Sequence, residues 1–464
     1  MGVGSCPRPE SRTNFDHPAF PDLEPVLHML NTHRRWLARS SPLAILGIAL
    51  AVTWWAAAWV PAQPPSSGYE PRIDAASGEA ELALQRMQLA PGLKVSLWAA
   101  EPMLANPVCL AIDHRGRIFV AETFRLNDGV SDIRGLMAWL DDDLACRTVD
   151  DRDRMMRKWM RQHYSRNTVH HDRIRHLEDT TGDGRADRST VFADGFNEAV
   201  DGIGAGLLVR GQQVWFACIP HLWLLEEDAK TRQAQSRRSL HSGYGVHIGF
   251  IGHDLHGLIR GPDGRLYFSI GDRGLHVERP EGAVVNADSG AVLRCWPDGS
   301  DLEIVHVGLR NPQELAFDDW GNLFTLDNNS DAGDQARIVH VVDGGDSGWR
   351  LGYQFIEAPR PRGAWHGERM WHPERARERA AFMVPPIANF TDGPSGLAFD
   401  PGTGLPERYR GRFLICDFRG GPAGRGIWSV CLLAHGARFR LESKERIVRE
   451  ELATDHDGSP DGGV

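Results

Sequence analysis

The chain has 464 residues, 41% hydrophobic and 25% charged, a balance that excludes intrinsic disorder over most of its length. Its formal charge of −10, with no long basic run, argues against nucleic acid as the main partner. Its 7 cysteines include no C-x-x-C or C-x-x-C-H spacing, so neither a zinc ribbon nor attached c-type haem is encoded.

The first predicted element is apolar. SPLAILGIALAVTWWAAAWV, Ser41 to Val60, carries no charge and is long enough to cross a bilayer as a helix. Trp54, Trp55 and Trp59 leave it no polar face, unlike the helix of a soluble core. His33, Arg34, Arg35 and Arg39 precede it and no Lys or Arg follows before Arg72. The positive-inside rule then keeps residues 1–40 in the cytoplasm and places the bulk of the chain on the periplasmic or extracytoplasmic side. A retained anchor is the expectation. Val60-Pro61-Ala62 also reads as a small-residue cleavage site, so a cleaved signal is the alternative. Residues 61–85, beginning PAQPPSSGYEPR, read as a Pro/Ser/Gly-rich linker.

From residue 86 a pattern recurs: a short apolar strand, a turn with Asp or Gly, and a second apolar strand. Its copies are CLAIDHRGRIFVAE (109–122), GLLVRGQQVWFACI (206–219), GLIRGPDGRLYFSIGD (257–272), ELAFDDWGNLFTLD (314–327) and GLAFDPGTGLPERYRGRFLICD (396–417). A sixth begins at LATDHDGSPDGGV (452–464). A period of about 50–57 residues points to a propeller or solenoid. Consecutive apolar residues in GRIFVAE and GNLFTLD require both sheet faces to be covered, which radially stacked blades do. The expected fold is all-β, a six-bladed β-propeller over 86–464, with a helical, charged insertion at 126–165 and a second insertion at 357–382. Gly116, Gly264 and Gly321 stand where short hairpins need positive φ. The sixth copy ends where its second strand should start, so the reading includes a truncated last blade, or closure from the N-terminal side by LKVSLWAAEP (93–102). Cys218 and Cys416, inside apolar strands, are expected to be buried, inert thiols.

Chemistry-bearing residues follow the same order. In EDTTGDGRADRS (178–189), Asp179, Thr181, Asp183 and Asp187 fall at positions 1, 3, 5 and 9 of an EF-hand-like loop with Gly184 at position 6, a spacing that suits calcium. The glutamate of position 12 is missing. HYSRNTVHHDRIRH (163–176) lacks regular ligand spacing and reads as a solvated polar segment. His253 opens HDLHGLIRGPDGRLYFSIGD. An imidazole suits proton abstraction near neutral pH, and the hairpin folds residues 253–256 back toward Asp272, an orienting carboxylate. Turn-capping polar residues at a channel mouth are the competing reading. Arg310 and Asn311 precede a proline, which holds Asn311 extended. A guanidinium there suits carboxylates or quinone oxygens, or else bonds carbonyls between blades.

Taken together, HDLHGLIRGPDGRLYFSIGD, GLRNPQELAFDDWGNLFTLD, GGDSGWRLGY and PSGLAFDP with YRGRFLICDF resemble the glucose/sorbosone dehydrogenases, six-bladed propellers that use pyrroloquinoline quinone (PQQ). The likeness spans about residues 90–464 and is closer still to planctomycete-type membrane-bound dehydrogenases. By that resemblance His253 is the general base and Asp272 its partner, while Arg310 and Asn311 hold the quinone and Arg419 stands in for a cofactor-binding lysine. The resemblance also places a calcium ion at Asn329, Ser330 and Asp331. It implies oxidation of a sugar or other alcohol, with a cytochrome or quinone as acceptor. The chain departs from the family in the acidic DNNSDAGD (327–334) and in lacking the late arginine pair. Two other readings stay open: a non-catalytic propeller that binds polysaccharide or protein, and a metal-dependent, lactonase-like hydrolase. His256 has no catalytic counterpart.

Overall fold

The computed structural model describes residues 60–61, 69–373, 383–418 and 425–450. The predicted span 41–60 (save Val60), Arg419 and the sixth repeat copy at 452–464 lie outside the described residues. Among the described residues no helix is long and apolar enough to cross a membrane.

Each of the five earlier repeat copies supplies the first two strands of an antiparallel sheet. The first sheet runs Pro107–Ile112, Ile118–Glu122, Asp172–Glu178, Arg188–Phe196, and the second Gly206–Arg210, Gln213–Cys218, His221–Glu227, Ala234–Ser242. The third runs Leu255–Arg260, Leu266–Ile270, Gly290–Cys295, Glu303–Leu309, with Gly345–Asp346 added in parallel. The fourth is Pro312–Phe317, Leu323–Asp327, Arg337–Val341 and Ala388–Asn389. The fifth runs Gly393–Asp400, Arg412–Phe418, Gly426–His435 and Arg438–Glu450. Gly116, Gly264 and Gly321 take φ of 78°, 86° and 81° in the hairpin turns, a region other residues enter at a steric cost.

Apolar layers fill the spaces between successive sheets. Phe119, Ile174, Val214 and Phe216 pack the first on the second, and Trp215, Leu224, Phe268 and Leu293 the second on the third. Tyr267, Leu315 and Val339 join third to fourth, and Phe324, Ile338, Phe413 and Ile415 fourth to fifth. This is why Leu266–Ile270 and Leu323–Asp327 are buried at every residue: the third and fourth sheets, to which they belong, are each covered on two faces. The first strands of four sheets, with Ala205 just before that of the second, line one cavity of about 780 Å³, through Val108, His256, Glu314 and Ser395 among others. On the far face of the first sheet Val108, Leu110 and Ile112 are exposed, the last two by 59% and 61%.

The N-terminal approach differs from the expectation. Residues 93–102, the alternative to a truncated last blade, form no strand; instead Met87–Leu89 pairs antiparallel with Arg438–Glu450, the last described strand, Met87 opposite Glu450 and Leu89 opposite Val448. Within the predicted linker, Glu79–Gln85 is helical, as its Ala/Leu/Glu content favours.

The insertion carries helices at Leu140–Ala145 and Val149–Met160, the second opened by a Thr148/Asp151 capping box. Ile133, Met155 and Met156 pack on Val246, Ile248 and Phe250, the segment leading to His253. Buried Asp143 accepts the Ile248 N–H at 2.7 Å. In the second insertion Trp365 packs edge-on against Trp349 at 5.2 Å. Cys218 and Cys416 are free thiols whose titration burial pushes up.

Candidate active site

The hairpin register builds the site. Leu255 pairs with Ile270, so the residues just before one strand face those just after the other. His253 Nδ1 and Asp272 Oδ1 lie 2.7 Å apart. Gly271 makes this approach feasible: a Cβ there would stand 2.7–2.9 Å from the His253 backbone and Cβ.

Acids at the corresponding end of other sheets do a different job. Glu122 accepts the Ala105 N–H at 2.7 Å, Asp327 the Arg310 and Asn311 N–H groups at 2.9 and 2.8 Å, and Asp417 those of Asp392 and Gly393. Each closes the backbone entering its own sheet. Asp272, just beyond the strand end at Ile270, gives both oxygens to side chains: Oδ1 to His253 and Oδ2 to the Trp349 indole at 2.9 Å. The turn-capping reading therefore fits Glu122, Asp327 and Asp417 and does not fit Asp272. Burial pushes the Asp272 carboxyl up, but the charge and hydrogen bond of His253, the charge of Arg310 and the Trp349 bond outweigh it and hold the carboxyl below its ordinary range. With Nδ1–H committed to Asp272, the tautomer leaves His253 Nε2 as acceptor, and Nε2 has no hydrogen bond among the described residues.

Arg310 reaches the same neighbourhood from the fourth sheet. Its carbonyl accepts the Asp272 N–H at 2.7 Å. Its guanidinium, 5.4 Å from the Phe250 ring centre and 5.8 Å from that of Trp349, bonds Gln354 through Nε at 3.0 Å and Asp331 through Nη2 at 2.8 Å. Phe250 also lies 5.6 Å from the His253 ring. Asn311 is buried, its side chain beside the His256 ring. His256 donates Nε2–H to the Gly252 carbonyl at 3.1 Å, and burial lowers its pKa to about 4.

The structure thus brings His253, Asp272, Arg310 and Asn311 together. Trp349, Gln354 and Phe250 join them without having been singled out in the sequence. Trp349 lies 77 positions from Asp272 and arrives on the segment after Gly345–Asp346. Its clue was the GGDSGW run, which no hairpin register connects to His253.

The calcium expectations fare differently. The Ser330 hydroxyl donates to Asp334 at 2.7 Å and its carbonyl accepts the Arg362 guanidinium at 2.9 Å, while Asp331 faces Arg310. Cationic or donor groups already take these Ser330 and Asp331 oxygens, and Asn329 is placed only by its N–H donating to Asn328 Oδ1 at 2.9 Å, so Ser330 and Asp331 do not fit a calcium ion. In the 178–189 loop Asp179 accepts the Gly182 and Gly184 N–H groups at 2.7 and 2.8 Å. Asp183 accepts that of Arg185 at 2.9 Å, and Asp187 binds Thr180 through N–H and hydroxyl at 3.0 and 2.7 Å. Thr181 donates to Asp179 at 3.3 Å. The loop closes on itself as an Asp/Gly turn. Among the described residues no group of three or more His, Cys, Asp or Glu is placed to hold a metal. A PQQ-like quinone fits better: Arg310 Nη1, without a hydrogen bond among the described residues, offers a donor beside the Phe250 and Trp349 rings, and the buried Asn311 amide follows it in the chain.

No curated protein matches the chain. In fold the chain is similar to the pyranose dehydrogenase PQQ domain of Coprinopsis cinerea in holo form (12% identity over 83% of this chain and 88% of that one, TM-score 0.46). It is also similar to an AA12-family carbohydrate-active enzyme of Trichoderma reesei (13%, 85% and 97%, TM-score 0.45). A third likeness is to the PQQ-bound aldose sugar dehydrogenase of Streptomyces coelicolor (18%, 78% and 98%, TM-score 0.38). A family model matches residues 79–459, and the chain belongs to that family, DUF7133, described as a domain of unknown function.

Proposed function

We propose that the protein is a quinoprotein-type oxidoreductase that oxidises a sugar or other alcohol. The observation that carries this reading is Asp272, which spends both carboxylate oxygens on orienting side chains, one of them the His253 imidazole, in place of closing its own sheet. His253 Nε2 accepts the hydroxyl proton of the substrate, and Asp272 holds the ring in the tautomer that allows it and stabilises the imidazolium that forms. Arg310 and Asn311 would hold PQQ, the first by charge-assisted hydrogen bonds to its anionic oxygens, the second through its amide. When bound, PQQ supplies the two-electron acceptor for the hydride leaving the hydroxyl-bearing carbon, so alcohol becomes carbonyl. Phe250, Trp349 and the insertion above them limit water at His253. Export and membrane tethering through residues 41–60 belong to the same proposal, with a cytochrome or membrane quinone taking the electrons onward.

The test is dye reduction by purified protein supplied with PQQ and a panel of aldoses and alcohols. His253→Ala should lower turnover by two to four orders of magnitude. Wild-type activity that survives this substitution removes His253 from the role. Membrane association of the full chain, lost when 41–60 is deleted, tests the tether.

A further inference from the structure

The insertion brings a second guanidinium to the site. Its entry turn is fixed to the segment before His253 at three points: Ile133 N–H donates to the Gly249 carbonyl at 3.0 Å, Ile251 N–H to Asp132 Oδ2 at 3.1 Å, and the Ile133 side chain is fully buried against Val246 and Ile248. From this seat Arg134 lies over the Phe250 ring, 4.6 Å from its centre, on the ring that Arg310 also approaches. Asp132 engages Arg134 through Nε and Nη2 at 2.7–3.1 Å. Nη1 makes no hydrogen bond among the described residues, and the side chain is 57% accessible.

Asp331 pairs with Arg310. It bonds Arg310 Nη2 at 2.8 Å, and its charge, after the hydrogen bonds of Asp132, helps hold the Arg134 guanidinium above its ordinary range. Its own side chain is 53% accessible, and its backbone takes φ of 57°, a left-handed conformation Asp tolerates but does not prefer. A carboxylate so exposed can be exchanged for a ligand carboxylate, which then neutralises a guanidinium that is almost wholly buried and therefore weakly screened.

We propose that Arg134 and Arg310 together bind a carboxylate of the ligand, and that Asp331 competes with that carboxylate for Arg310. The inference rests on the reading of this cluster as a small-molecule oxidation site. Two sources share the chemistry: a carboxylate on the quinone and a carboxylate on an acidic sugar.

Titration of intrinsic tryptophan fluorescence, for which Trp349 beside Arg310 is a reporter, separates them. Wild type, Arg134→Gln and Asp331→Asn are each titrated with PQQ, with glucuronate and with glucose as the neutral comparator. Arg134→Gln should weaken a carboxylate ligand on the order of tenfold and leave glucose unchanged, while Asp331→Asn tightens the same ligand severalfold. A loss confined to PQQ assigns the carboxylate to the cofactor, and a loss confined to glucuronate assigns it to the substrate. Arg134→Gln binding both like wild type overturns the role of Arg134 and leaves the oxidoreductase reading standing. Failure of Asp331→Asn to tighten either ligand overturns the competition. Wild-type binding of glucuronate but not PQQ, weakened by Arg134→Gln, overturns the quinone reading alone. Binding of neither by wild type overturns both.

Discussion

The Trp349 indole donates to Asp272 Oδ2 across 2.9 Å, so that Oδ1 is left to His253 at 2.7 Å. The imidazole is aimed by a carboxylate that is itself aimed from another segment. Trp349→Phe keeps the ring packing against Trp365 and removes only the donor. Loss of one hydrogen bond to a buried carboxylate should cost about 1–3 kcal/mol of unfolding free energy. The Trp349 bond also helps depress the Asp272 titration. A depressed carboxyl stabilises the fold above its unfolded pKa and loses that contribution as pH falls through its folded pKa. The variant should therefore shift the acid limb of both the stability and the pH–rate profiles to higher pH. A pH–rate profile superimposable on wild type would reduce Trp349 to packing.

Gly271 sets the spacing of the same pair. A methyl group at 271 meets the His253 backbone and Cβ at 2.7–2.9 Å, and both sides are held by strands. Gly271→Ala should push His253 out of hydrogen-bond reach of Asp272 in a crystal structure. Turnover with dye should fall at least tenfold, with a smaller change in KM, because the base is displaced while Arg310 and Asn311 stay in place.

Glu314, on the wall of the central cavity, should give the fold an alkaline weakness. Burial raises its carboxyl to about 8, opposed by a hydrogen bond with the Leu315 backbone. Here the sign is reversed from Asp272: the folded state binds the proton more tightly than the unfolded chain, so stability falls as pH rises from the unfolded pKa near 4.3 through about 8. Asp201, raised to about 7, adds in the same direction over a lower window. Glu314→Gln should flatten the decline of Tm between pH 6 and 9. An unchanged slope would show that Glu314 reaches water in the folded state.

The 178–189 loop should be indifferent to calcium. Its carboxylates are spent on its own N–H groups, and hydrogen bonds from Thr180 lower the Asp187 titration. Millimolar calcium or chelator should leave the unfolding midpoint unchanged, while Asp187→Ala lowers that midpoint through loss of the turn. A calcium-dependent midpoint abolished in Asp187→Ala would restore the metal reading.

The repeats were legible because each sheet is written locally: strand, turn and strand lie within some twenty residues, and double-faced burial leaves an unbroken apolar run. The His253–Asp272 pair was legible for the same reason, as one hairpin register joins it. Contacts between segments without a repeat were not. Trp349 enters after the third sheet is complete, and Arg134 rides on an insertion whose seat depends on Ile133 and Asp143. The acidic spacing at 179–187 misled in the opposite way, because Asp and Gly at those intervals also satisfy a turn's own backbone. The helix at Glu79–Gln85 was hidden by the Pro/Ser/Gly-rich residues upstream.

Met87–Leu89 hydrogen-bonds with the strand Arg438–Glu450, Met87 opposite Glu450. A ribosome delivering this chain must therefore release it through residue 450 before that pairing can form, leaving an early β-edge waiting while the intervening sheets are made. Such an edge is open to mispairing with neighbouring nascent chains. Recombinant yield should accordingly depend on holdase chaperones more than the finished fold's stability alone would suggest.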